Sequence, residues 1–140
     1  MDPKVIELVQ SSWRAVEPIA PQAAELFYGN LFAADPALKA LFKGDMVQQG
    51  AKLMQMIGAA VRGLDDVPSL LPVLQSLGVR HQGYGVSPKD YDVVGSALLD
   101  TLAQGLGAAF TPEVQDAWAT VYKTMASVMT QAAEQGRAAA

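Results

Sequence analysis

The chain has no cysteine and a single histidine, His81. Without thiols it can form no disulfide, no thiolate zinc site and no iron–sulfur cluster, and such a chain suits a reducing cytoplasm. Catalytic zinc takes about three protein ligands, usually with histidine among them, so one histidine argues against it. Basic residues are scattered rather than clustered, and the net charge is −4. That speaks against nucleic acid as a partner and against a polybasic membrane anchor. No apolar run reaches the ~18 residues of a membrane span. The N-terminal MDPKVIELVQ carries an early acid and lacks a long apolar stretch, so it does not read as a signal peptide. No nucleophile-elbow motif and no internal repeat occur.

What is present is apolar residues in helical register. At 140 residues and 51% hydrophobic, the chain can fill one core, so a single domain over 1–140 is expected, with 137–140 as a frayed tail. Four Ser/Thr/Asp–Pro pairs punctuate it, at Asp2-Pro3, Asp35-Pro36, Ser87-Pro88 and Thr111-Pro112. Each reads as a helix start, because the side-chain oxygen accepts from free N–H groups and proline tolerates the first helical position. A first helix has Ile6, Val9, Trp13 and Val16 on one face and ends near Pro18. A second runs from Pro21 to about Ala34, with Ala24, Phe27, Tyr28 and Leu31 inward. A short third carries Leu38, Leu41 and Phe42, and Lys43-Gly44-Asp45 turns the chain. A long helix over 47–64 puts Gln49, Leu53, Ile57 and Val61 on one stripe. The next, over 69–82, aligns Leu70, Leu74, Leu77 and His81, tolerates Pro72 in its first turn and ends at Gly83 and Gly85. Gly78 inside it either makes room for a close neighbour or is a surface glycine. Helices from Pro88, with Tyr91, Val94, Leu98 and Leu102 inward, and from Pro112, with Val114, Trp118, Val121, Met125 and Val128 inward, complete the chain. With no alternating strand, the class is all-α, six to seven helices of unequal length in an irregular sandwich.

His81 is the only strong nitrogen or sulfur metal ligand. It is either a packed core residue or a metal ligand, and haem is the group that needs only one such donor plus a large apolar slot. Gln49 and Leu53 lie four apart on one helical face. Gln49 is either a boundary polar residue or an amide over a bound ligand. Tyr28 is either core filling or a second donor, and Phe42 either core or a ring stacked on a flat cofactor. Met54, Met125 and Met129 offer a second axial ligand, though methionine at helical spacing is usually core filler.

From Val5 to about Met129 the chain resembles the bacterial single-domain globins, which are similar to the haem domain of flavohaemoglobins. The residues that carry the likeness are His81 followed by Gly85-Val86, Tyr91 and Val94-Gly95. With them go Trp13, Leu26-Phe27-Tyr28, Asp35-Pro36 with Leu41-Phe42, Lys52-Leu53-Met54, and Ala117-Trp118 with Tyr122. The resemblance implies a globin fold around haem b. His81 would be the proximal iron ligand, Phe42 would pack on the porphyrin, Tyr28 and Gln49 would form the distal hydrogen-bonding pair, and Leu53 the apolar wall. Arg80 would approach a haem propionate or a partner, or simply be solvated. The family pairs the tyrosine matching Tyr91 with a glutamate on the last helix. Here that slot falls on Ala133, with Glu134 one residue on and turned by ~100°. Tyr91 and Glu134 are therefore the candidates for a proximal relay.

The implied function is reversible binding of dioxygen, with nitric oxide and carbon monoxide as further ligands. The alternative is nitric oxide dioxygenation to nitrate, which would need an external reductase because no reductase domain is expected within these residues. A haem-free helical module or a gas sensor is a third reading, and the absence of a Soret band would distinguish the former.

Overall fold

The structure, a computed structural model, describes residues 2–42, 44–83 and 86–139. Among the described residues lie six α-helices: α1 (Pro3–Val16), α2 (Ala20–Ala34), α3 (Met46–Arg62), α4 (Val67–Gly83), α5 (Pro88–Leu106) and α6 (Pro112–Ala139). Short 3₁₀ turns lie at Glu17–Ile19, Pro36–Leu41, Gly63–Asp66 and Gly107–Ala109. No strand occurs among the described residues, so the all-α expectation holds. The short third helix is the 3₁₀ piece Pro36–Leu41. Of the expected turn Lys43-Gly44-Asp45, Lys43 lies outside the described residues, as do Tyr84 and Gly85 beyond the histidine helix. The tail expected to fray continues α6 as far as Ala139.

The helix starts follow the chemistry of their caps. The Asp2 carboxylate accepts from the Lys4 N–H at 2.8 Å, and Asp35 from Ala37 at 3.1 Å. Asp45 accepts from both Val47 and Gln48, opening α3 just after Gly44, whose φ of +95° suits a residue without a Cβ. Before α5 the roles reverse, with the Asp90 carboxylate accepting the Ser87 N–H at 2.9 Å. One boundary differs from expectation. α4 begins at Val67 rather than 69, because Asp66 accepts from the Ser69 hydroxyl and N–H and turns the chain early. Pro72 therefore lies inside the helix, beyond its first turn. It has no N–H to give the Pro68 carbonyl, so α4 runs through a missing hydrogen bond.

The core gathers Val9, Trp13, Val16, Phe27, Leu31, Leu64, Leu70, Leu74, Leu102, Trp118 and Val121. Packing pairs α4 with α6, α2 with α5, α1 with α6, and α2 with α3. The α4–α6 seam is so close that a Cβ on Gly78 would stand 2.7 Å from the Met129 Cα and carbonyl carbon and collide with its oxygen. Gly78 thus serves the close neighbour. In contrast, α3 and α4 scarcely touch among the described residues, apart from the turn that joins them. On α3 the deeply buried stripe is Gly50, Met54, Gly58 and Val61. The expected stripe of Gln49, Leu53 and Ile57 lies one residue over and is only half-covered. α3 is thus held to the core by one edge, with the adjoining edge half-covered.

Candidate functional site

His81 is the fourth member of the Leu70–Leu74–Leu77 stripe, near the C-terminal end of α4. Leu70 and Leu74 are buried; Leu77 and His81 are half-buried. The His81 Nδ1–H donates to the Leu77 carbonyl, one helical turn back, at 2.7 Å. That bond defines the tautomer in which Nε2 carries the lone pair. Burial pushes the imidazole below the ordinary histidine range; the Leu77 carbonyl opposes this, and the Arg80 charge adds to it. The ring is therefore held neutral, as a metal ligand must be. Its face stacks on Tyr91 from α5, with centroids 6.4 Å apart and 26° between planes. Arg80 itself is exposed.

A second cluster forms where α2 meets the Pro36–Leu41 turn. Tyr28 is 8% exposed. Its ring packs edge-on against Phe27 at 5.4 Å and against Phe42 at 5.3 Å, and stacks on Phe32 at 5.9 Å. Phe32 and Phe42 close the cluster at 5.5 Å. Tyr28 makes no hydrogen bond with the described residues, and burial pushes its phenol above the usual range, so it stays a proton donor. Gln49 and Leu53 share the half-covered edge of α3, and the Gln49 amide nitrogen lies beside Gly44. No hydrogen bond joins Gln49 to Tyr28. The structure thus brings Tyr28 and Phe42 into direct contact and sets Gln49 and Leu53 along one edge of α3. Met54 is committed to the core instead. Phe32 was missed from the sequence, although its place one turn after Tyr28 on α2 is a readable signal.

Glu134, the acidic relay candidate, lies near the end of α6. Ala132 and Ala133 are buried on that turn, while Glu134 is exposed. No hydrogen bond or electrostatic interaction links Glu134 to Tyr91. The Tyr91 carbonyl accepts instead from the Tyr122 hydroxyl, at 2.6 Å.

A globin family model matches residues 25–129. The chain belongs to the globin family. Among its relatives, neuroglobin from Dissostichus mawsoni is 32% identical, and neuroglobin from Danio rerio 33%. Each match covers 89% of this chain and 87% of the relative. The family expected from His81, Tyr91 and Trp118 is thereby shown, at the level of globins.

In globins a proximal histidine holds haem iron, and the residues of this globin can be tested against that need. The donor is a neutral imidazole whose Nδ1–H is fixed on Leu77. The helix bearing it and α3 scarcely touch among the described residues. Phe42, Leu53 and Ile57 offer half-covered apolar surface. Tyr28 adds a donor with no partner among the described residues. These features fit haem. No group of three or more His, Asp or Glu side chains that could hold a different metal occurs among the described residues. No helix among them is long and apolar enough to cross a membrane.

Proposed function

We propose that this globin holds haem b through His81 and reversibly binds dioxygen, with nitric oxide and carbon monoxide as alternative ligands. The observation that carries the reading is the His81–Leu77 hydrogen bond. It presents a neutral imidazole in one tautomer and one orientation, at the end of an apolar helix stripe. When bound, haem would supply an iron centre at which a diatomic ligand coordinates. The chain's own residues do the rest. His81 would hold the group from the proximal side, and Phe42 would pack on its face. Leu53 would keep the ligand side apolar and exclude water. Tyr28 would donate its O–H to the ligand, and the Gln49 amide would supply a second donor. Donors aimed at a partly charged ligand in a dry site are effective because little water competes with them. A Tyr and Gln pair of this kind is the feature that resembles flavohaemoglobin haem domains.

The test is spectroscopic. The purified chain, supplied with haem, is expected to show a Soret band and to bind carbon monoxide reversibly in the ferrous state. His81→Ala is expected to lose haem retention, and added imidazole to restore part of it. A colourless wild-type protein that takes up no haem would overturn the reading, and so would a His81→Ala variant with unchanged absorbance and retention. Nitric oxide dioxygenation with an external reductase gains no support from the proximal side, where Glu134 is exposed.

A further inference from the structure

The longest run of the chain without a charged residue lies on α4, from Val67 to Val79. Asp65 and Asp66 precede it and Arg80 follows it. α4 uses two of its faces within the molecule. Leu70, Leu74, Leu77 and His81 form one stripe, and Gly78 meets the Met129 backbone of α6 on the next. The third face is turned outward. At roughly 100° per residue, Asp66, Ser69, Val73, Ser76 and Arg80 fall along a single stripe of it, and all five are exposed. Val73 is 52% exposed, and Val79, beside the stripe, 47%. The solvent face of a helix ordinarily carries charged and polar residues along its length. This one carries charge only at its ends.

The spacing of 66, 69, 73, 76 and 80 alternates three and four, the repeat by which two helices pack along a seam. The stripe also matches its own reverse. Turned end for end about Val73, it lays Asp66 on Arg80, Ser69 on Ser76 and Val73 on Val73. A two-fold pair of such stripes is isologous, each patch meeting its own copy. Antiparallel pairing sets acid against base at both ends, whereas parallel pairing would set acid on acid and base on base. The serines are small, so the helices can approach closely on either side of the valine. Asp66 accepts from the Ser69 hydroxyl at 2.6 Å and from its N–H at 3.4 Å. An ionised carboxylate has about four acceptor sites, so it can still receive a guanidinium. Asp65 and Arg80 make no ion pair among the described residues.

We propose that the outward face of α4 is a self-association surface, on which two copies of this chain pair antiparallel along Asp66, Ser69, Val73, Ser76 and Arg80 with Val73 on the two-fold axis. A helical seam from 66 to 80 is ~21 Å long. That is too short to bury the ~800 Å² per partner of a standard stable complex, so the dimer is weak, populated at high protein concentration and quick to exchange. The inference goes beyond the haem reading and does not depend on it.

The experiment uses the full chain. Sedimentation equilibrium from micromolar to millimolar concentration measures association of the wild type and of Arg80→Asp. The chain has no cysteine, so Val73→Cys introduces a single thiol. Two such thiols on the axis can close a disulfide, which needs Cβ atoms ~3.5–4.5 Å apart. Val47→Cys, at a position on α3 that is 80% exposed, reports chance collision. The wild type is expected to show a reversible monomer–dimer equilibrium that added salt weakens, because the end pairs lie at the surface. Arg80→Asp sets acid against acid and is expected to weaken association several-fold, with its helical circular dichroism intact. Under mild oxidation Val73→Cys is expected to link into dimers several-fold faster than Val47→Cys. A wild type that stays monomeric throughout leaves this face to a partner of other chemistry and overturns the inference. A Val73→Cys chain that links no faster than Val47→Cys overturns it too, and so does an Arg80→Asp chain that associates like the wild type.

Discussion

The Tyr28 ring is buried, but its hydroxyl has no hydrogen-bond partner among the described residues. Tyr28→Phe should therefore leave the thermal midpoint of the ligand-free protein unchanged or raise it. Its effect on ligand binding has the opposite sign. A hydrogen bond to a charged group contributes roughly 1.5–3 kcal/mol, and about 1.4 kcal/mol is tenfold in an equilibrium. Stopped-flow oxygen dissociation should accelerate by about tenfold or more in the variant. An unchanged rate would show that Tyr28 does not touch the ligand. Glu134 is the counter-case. It is exposed and tied to nothing on the proximal side, so Glu134→Gln should leave the absorption spectrum and ligand kinetics as they are.

At the scale of elements, the α4–α6 seam decides where His81 stands. Gly78 meets backbone on the far side, the Met129 carbonyl, and backbone cannot rotate out of the way. Gly78→Ala must part the two helices, and overpacking of this kind costs typically 1–3 kcal/mol, or about 4 °C of midpoint per kcal/mol at this size. The fall should appear in a thermal melt together with faster haem loss, because His81 lies three residues along the same helix. Gly29, on the exposed face of α2, offers the comparison. Nothing lies within 4 Å of its Cβ position. Gly29→Ala should therefore stabilise by roughly 0.5–1 kcal/mol, through lower backbone entropy of the unfolded chain. Two glycines in helix interiors thus respond with opposite sign, and only their neighbours distinguish them.

For the molecule as a whole, the buried tyrosines set an alkaline limit. Burial pushes the Tyr122 phenol far above its ordinary range, with the nearby Tyr91 and Asp92 adding to the shift, and burial raises Tyr28 as well. In the unfolded chain these groups lose their protons near pH ~10. Between that pH and their native values the unfolded state binds fewer protons than the native one, so stability falls as pH rises. Urea midpoints should be flat from about pH 8 to 9.5 and then decline, with tyrosinate absorbance appearing together with unfolding. Tyr122→Phe should make the decline shallower. A decline equally steep in the variant would assign the alkaline transition to other groups.

The sequence by itself determined the element order, the four capped starts and the apolar faces of α1, α2, α5 and α6. These are local matters: a side-chain oxygen beside free N–H groups, a proline at a first turn, and a 3.6-residue period act within a few residues of chain. It also singled out His81, because a chain without a second histidine or any cysteine has no rival donor. Three things were decided by the tertiary structure. The burial of α3 moved by one residue, to Gly50, Met54 and Gly58, because only packing against α1 and α2 says which edge of an amphipathic helix meets the core. The choice for Gly78 was settled by a backbone carbonyl some fifty residues away in sequence, which no local pattern reports. Tyr122 and Gly95 stand in the same motifs that pointed to the family, yet the close approach of the Tyr122 ring to the Gly95 backbone depends on two helices meeting at one height. Contacts of that kind are set by the sum of all the packing and cannot be read from either helix alone.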